Sequence, residues 1–340
     1  MPKNEEEESN ASNSNPSVSQ KPKLKYERLN KLVAVSTKAP WLCKHKIVTL
    51  VRNAERVDRV FPEWLSENIN DAGMYQPDDL NLPVVLWARP DGYRCYMDDC
   101  PVTEIGACVS QLVGRGLRKS PLMPIQRFYC SPAFRSVQTA LEMSKGLGGI
   151  VEICIEPALF DFLGWYKKMP SLLSTADFLR LEMNINPEYV EKKSRKELQS
   201  LVGKETIDGF YARISKAIRE IVKREHKISH FVIITHAPGN EFITILVNVM
   251  EIIGVDAAIK SLKNCAPTAI TENDLLHMGT YYPYSSTVTL ANNGDDWSFV
   301  HDPFPSFSYL GTTNRVNSKF VERTLAKGAG IPVESQESKK

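Results

Sequence analysis

The sequence lacks three things, and each absence narrows what the chain can be. It has no apolar run approaching the roughly 20 residues that a membrane-spanning helix needs. It has no CxxC pair. Its seven cysteines (Cys43, Cys95, Cys100, Cys108, Cys130, Cys154, Cys265) are scattered and odd in number, and its six histidines are dispersed. That argues against a disulfide framework and a zinc site, so no metal or other cofactor is expected. It also has little net charge: 42 basic against 40 acidic residues leave +2. Nothing global therefore favours nucleic acid or membrane, and any anion site has to be local. The first residues, MPKNEEEESN, lack both the apolar core of a secretion signal and the glycine of a myristoylation signal. The expectation is a soluble cytoplasmic protein, with the nucleus left open.

What is present suits one large globular domain with tails: 340 residues, 42% hydrophobic and 24% charged. Residues 1–20 are mostly Glu, Ser and Asn, with almost nothing to bury, and residues 21–46 are rich in lysine around Trp41 and Leu42. Residues 1–44 thus read as a disordered tail and basic linker, 45–312 as the folded body, and 313–340 as a partly disordered extension. Within the body, IVTLV (47–51), FYC (128–130), VEICI (151–155), FVIIT (231–235) and STVTL (286–290) have the length and the β-branched and aromatic content of buried strands. Helical periodicity covers 132–146, 208–224, 239–253 and the stretch VTEIGACVSQLVGRGLRK, with Thr103 or Pro101 near its start. Strands alternating with helices predict an α/β fold, a mostly parallel sheet with helices on both faces. Regions 62–100 and 162–206 are poorer in pattern and read as insertions over one sheet edge, where lids often sit.

In an open parallel sheet, ligands bind beyond the carboxyl ends of the strands. The residues found there are Arg52, Asn53 and Arg56 after the first strand, and Ser131 and then Arg135 after FYC. Glu156 and Asp161 follow VEICI, and Thr235 and His236 end FVIIT. One arginine after a strand is most simply a surface residue. Three arginines and a histidine at one sheet edge point to an anion, because a guanidinium is a planar fork that matches phosphate oxygens. Cys130 packs in the core as readily as it would serve as a nucleophile, and His45 precedes its strand.

Five ordered segments carry a resemblance: "VRNAERVDRVFPEWL" (51–65), "DCPVTEIGACVSQLVGRGL" (99–117), "YCSPAFRSVQTA" (129–140), "EPALFD" (156–161) and "THAPGNE" (235–241). Over roughly residues 46–310 the chain resembles the histidine phosphatase superfamily, with its phosphoglycerate mutase-like fold. It is most similar to the C-terminal phosphatase module of the ubiquitin-associated and Src-homology-domain phosphatases, whose insect relatives act on ecdysteroid phosphates. The resemblance implies phosphate held by Arg52, Arg56, Arg135 and His236. It places the nucleophilic histidine at Asn53, the glycine that follows it at Ala54, and the general-acid glutamate at Asp161. Modules of this kind are often dimeric, so the resemblance also allows a homodimer.

The departures fall on the catalytic side. A carboxamide nitrogen has its lone pair delocalised, so Asn53 is neither nucleophile nor base near neutrality, although it can still donate a hydrogen bond. Loss of a nucleophile from a cooperative catalytic unit has cost roughly a millionfold in turnover elsewhere. Glutamate to aspartate shortens the acid's reach by about 1.5 Å, and misplacement on that scale can cost around a hundredfold. Ala54 narrows the backbone and adds a methyl. These features predict a catalytically inactive or strongly impaired phosphatase-like protein with a retained phosphate pocket, working through phosphorylated ligands or protein partners. Two alternatives stay open. One is an active phosphomonoesterase that uses water with His236 or Asp161; the other is an interaction module with a vestigial pocket. Unoccupied, three clustered guanidinium groups need neighbouring carboxylates, with Glu55 the nearest in sequence, or a bound anion.

Overall fold

The computed structural model describes residues 46–122, 124–149, 151–225, 229–236, 282–292, 297–300, 302–309 and 312–316. β1 (Ile47–Arg52) is buried on both faces until its last residue. A strand carrying only apolar and threonine side chains must be covered above and below, which is how strands inside an α/β sheet read. β2 (Arg127–Cys130), β3 (Glu152–Ile155) and β4 (His230–Thr235) have the same character. With β5 (Thr287–Asn292) and β6 (Trp297–Phe299) they form one sheet in the order β3-β2-β4-β1-β5-β6. β1 to β4 are mutually parallel, while β5 runs antiparallel to β1 and β6 antiparallel to β5. All five strands expected from the sequence are present; β6 is an addition. A short hairpin, β7 (Ser308–Tyr309) and β8 (Thr312–Thr313), stands apart.

Two short helices, α1 (Val57–Val60) and α2 (Trp64–Glu67), follow β1. α3 (Glu104–Arg118) begins where the sequence indicated: the Thr103 hydroxyl accepts the Gly106 amide at 2.9 Å. α4 (Phe134–Leu147) packs along α3 and against β2, β3 and β4. α5 (Thr175–Arg180) and α6 (Arg195–Gln199) each open with a capping box, from Ser174 and Ser194. α7 (Ile207–Arg224) is capped by Thr206. The helix expected over 239–253, the tail 1–44 and most of the extension 313–340 lie outside the described residues.

The two insertions do more than cover an edge. Trp64, Leu82, Leu86 and Tyr96 from the first join Val51, Phe128, Val232 and Ile234 of the sheet and Phe134 and Val137 of α4 in one core. Edge-to-face contacts run from Trp64 to Tyr96 at 6.3 Å and from Tyr96 to Phe134 at 5.8 Å, and Phe134 stacks on Phe178 of α5 at 6.5 Å. The second insertion lies along the edge strand β3, through an Ile153–Ile185 bridge. At the other end, the packed chain reaches beyond residue 312. Asn314 is buried, its carbonyl accepts the Thr287 amide at 2.9 Å, and Arg315 bridges to Thr287.

Candidate functional site

The carboxyl ends of β2, β4 and β1 lie side by side, so the residues that leave them meet. Arg52 pairs with Thr235 across the β1–β4 ladder, and the Asn53 amide donates to the Thr235 carbonyl at 2.9 Å. On the neighbouring strand, the Ser131 amide donates to Ile234 at 3.2 Å. The loop after β1 is fastened to α4, where the Ala54 amide donates to the Thr139 hydroxyl at 3.0 Å, and that hydroxyl donates to the Arg135 carbonyl at 2.7 Å. Asn53, Ala54, Arg135, Asp161 and His236 are all buried.

The arginines are already partnered. Arg56 grips Asp58 through both prongs, Nε to Oδ1 at 2.9 Å and Nη2 to Oδ2 at 2.6 Å. Burial works against its charge, but Cys100, the Asp58 carboxylate and Asp161 outweigh burial and hold its pKa above the ordinary arginine value. Burial would raise Asp58, yet the Arg56 bonds keep it below the usual carboxylate range. Arg135 Nη2 donates to Asp161 Oδ2 at 3.0 Å. Arg52 is lowered, by burial first. The expectation that Glu55 offsets the arginines needs correction: Glu55 Oε1 accepts from the Thr103 hydroxyl at 2.8 Å, while Asp58 and Asp161 are the neutralising groups. Cys130 is fully buried with its thiol pKa pushed far up by burial, so it packs as a core residue rather than a nucleophile. Residue 45 lies outside the described residues.

His236 faces Ser131, Nε2 to Oγ at 2.7 Å, and its ring meets Phe160 edge-on at 5.9 Å. Burial, then Arg135, Arg56 and Arg213, hold its pKa well below 6.5, so the ring is neutral at pH 7. In the tautomer in which Nε2 accepts from the Ser131 hydroxyl, Nδ1 carries a hydrogen with no acceptor among the described residues. Asn53 turns its carboxamide Nδ2 to the Ala54 carbonyl at 2.9 Å. Glu156 is committed elsewhere: it caps Ala158 and accepts from the Tyr189 hydroxyl at 2.7 Å and the Lys192 amide at 2.8 Å.

Two parts of the site were not read from the sequence. Arg213, on the apolar side of α7, donates to the carbonyls of Ala158 at 2.8 Å, Phe160 at 2.9 Å and Asp161 at 3.0 Å. It also holds both oxygens of Glu205, at 2.7 and 2.9 Å. Arg213 thereby fixes the loop that carries Asp161, and the signal that could have found it is its place in the helical period, three residues after Phe210 and four before Ala217 on the buried face. The other part is the segment 282–286. The Tyr282 carbonyl accepts from Arg52 Nη1, the Tyr284 ring lies 3.9 Å from the Arg52 guanidinium carbon, and the Ser285 amide donates to the Asn53 carbonyl at 3.3 Å.

The geometry therefore gathers three guanidinium groups, a neutral imidazole and two carboxylates around Asn53. Such a set offers charge-assisted donors to an anion and has no strong nucleophile at residue 53. Comparison with known proteins gives consistent matches. The family model for the histidine phosphatase superfamily (branch 1) matches residues 89–272, a span that includes Arg135, Asp161 and His236 and begins after the Arg52–Arg56 loop. The chain is 25% identical over 286 residues to an ecdysteroid-phosphate phosphatase of Drosophila melanogaster, covering 83% of this chain and 35% of that protein. It is 31% identical over 199 residues to ubiquitin-associated and SH3 domain-containing protein B of Homo sapiens, covering 57% of this chain and 30% of that protein. The chain thus spans about a third of the length of these relatives. The crystal structure of the ecdysone phosphate phosphatase from Bombix mori in complex with tungstate has the same fold, with a TM-score of 0.62 at 24% identity, over 81% of this chain and 99% of that one.

Proposed function

The chain belongs to the histidine phosphatase superfamily, and on that premise we propose that it is a member with lost or strongly impaired turnover and a retained phosphate site. The observation that carries this reading is Asn53, a buried carboxamide at the end of β1 that spends its donor on its neighbour's carbonyl. It cannot form the phosphohistidine on which the resemblance makes the reaction depend. Arg52, Arg56, Arg135 and His236 supply the phosphate-binding donors, and Asp161 stands at the general-acid position. The relatives' names fit a tetrahedral oxyanion: a steroid phosphate for the fly protein, and tungstate bound in the silkworm structure. In this reading the protein works by holding a phosphorylated small molecule or a phosphorylated partner.

A second reading, slow hydrolysis by water, is favoured by one observation. His236 is neutral, so it can accept a proton. The same burial that keeps it neutral makes it a weak base, which limits the rate such a route can reach.

Two measurements test these readings. Hydrolysis of an aryl phosphate by the purified protein should be absent, and Asn53→His should gain turnover. Turnover by the unaltered protein that vanishes in His236→Ala would establish the water route instead. Inorganic phosphate at millimolar concentration should raise the Tm, and Arg135→Ala should weaken that rise. A Tm indifferent to phosphate would mean that the pocket is vestigial.

A further inference from the structure

The turn that follows residue 281 carries two conformational oddities at the site. Ser285 has φ +60°, in the left-handed region that side chains other than glycine, asparagine and aspartate rarely enter. The Ser286 amide donates to the Pro283 carbonyl at 3.0 Å, closing a tight turn with Ser285 at its third position. A positive φ at that position is what a type II turn assigns to glycine. Among the described residues the other two non-glycine residues with positive φ, Glu182 and Asp302, are exposed, whereas Ser285 is 1% exposed. The hydroxyls of Ser285 and Ser286 are also both buried without a hydrogen-bond partner among the described residues.

These two costs fall on one turn, and that turn is bound to the site. Its Ser285 amide reaches the Asn53 carbonyl at 3.3 Å, and its Ser286 carbonyl accepts the Arg52 amide at 3.0 Å. β5 starts at Thr287 and lies antiparallel to β1, so the turn stands at the sheet end where Arg52 and Asn53 emerge. Strained backbone and unmatched polar groups in a packed structure persist where something else uses them, and such residues cluster at ligand sites. We propose that Ser285 and Ser286 are phosphate ligands, hydroxyl donors to an oxyanion seated beside Asn53 among Arg52, Arg56 and Arg135. A glycine would relax the turn, yet it would supply no donor. The proposal rests on the retained phosphate site argued above and adds two residues to it.

The test measures inorganic phosphate affinity by calorimetry, and Tm in phosphate-free buffer, for the full chain and for Ser285→Gly, Ser285→Ala and Ser286→Ala. Ser285→Gly should raise the phosphate-free Tm by about 2 °C, through relief of the strained backbone. It should also weaken phosphate binding by about ten- to a hundredfold, the loss expected for one hydrogen bond to a charged group. Ser286→Ala should weaken binding to a similar degree. If the serine variants bind phosphate as tightly as the unaltered protein, the serine assignment is overturned while the retained site stands. If the unaltered protein binds no phosphate, the site and the assignment fall together. Should either Ser285 variant fail to fold, Ser286→Ala decides alone.

Discussion

A guanidinium already gripped by a carboxylate takes an anion only by exchanging partners, and Arg56 and Arg135 are both in that state. Asp58 is the more consequential partner, because it fills both prongs of Arg56 and also accepts from the Cys100 thiol at 3.0 Å. Asp58→Asn should therefore act in opposite directions on two measurements. Removing the counter-charge leaves Arg56 partly buried and unpaired, which should cost about 1–3 kcal/mol in denaturant unfolding. Millimolar phosphate should then raise the Tm of this variant more than that of the parent, because its guanidinium has no charged competitor to displace. An equal rise in both proteins would mean that Arg56 does not meet the phosphate. The arginines were legible in the sequence because each follows a buried strand, the β-branched IVTLV for Arg52 and Arg56 and the aromatic FYC for Arg135. Their partners were not. The segment 53–56 between β1 and α1 has no regular period, so the sequence could not show that Glu55 turns to Thr103 while Asp58 turns back to Arg56.

Among the elements, α3 and α4 meet through Gly114 and Gly146. A Cβ at Gly114 would lie 2.1 Å from the Met143 carbonyl oxygen, and one at Gly146 would lie 2.1 Å from that of Gln111. Neither obstacle is a flexible side chain, so an added methyl has to push the helices apart. Gly114→Ala should lower stability by about 3 kcal/mol or more, read as a shift in the urea midpoint at constant slope. A near-neutral result would show that the helices can separate without loss of packing. α4 also carries Arg135 and Thr139, so this variant should loosen phosphate binding as well. The existence of α3 and α4 followed from apolar period, with a cap at Thr103 for α3, and the strands from their β-branched and aromatic runs. The closeness of the crossing could not be read in the same way, because glycine within a helical pattern marks weak propensity and close approach equally well. Regions 62–100 and 162–206 are a related case. Their core contributions, Trp64, Tyr96 and Phe178, sit in short helices and irregular segments that leave no periodic trace.

At the scale of the whole molecule, buried imidazoles make the fold sensitive to acid. His230 lies under the sheet end opposite the site, with Nε2 at 3.0 Å from the Thr49 hydroxyl and Nδ1 at 2.8 Å from the Leu122 carbonyl. Burial lowers its pKa to about 4, against the raising effect of the Leu122 bond. A histidine with a folded pKa below its unfolded value of about 6.5 favours the folded state above that value. This stability is lost as pH falls from about 6.5 through 4, roughly 3 kcal/mol in all. His236 acts in the same direction, and Asp58, depressed below the ordinary carboxylate value, extends the loss to more acid pH. Urea midpoints should therefore drop steadily between pH 7 and pH 5, and His230→Gln should flatten that slope. A pH-independent midpoint over this range would mean that the ring is not held neutral. The sheet order has a consequence of another kind. β1 is paired on one side by β5, and its Thr49 bonds to Thr289, 240 residues further along the chain. At about 5–20 residues per second of synthesis, the ribosome takes roughly 10–50 s to deliver that partner. For most of that interval an apolar strand with an open edge stands outside the exit tunnel before its neighbour exists, which gives a chaperone reason to hold β1.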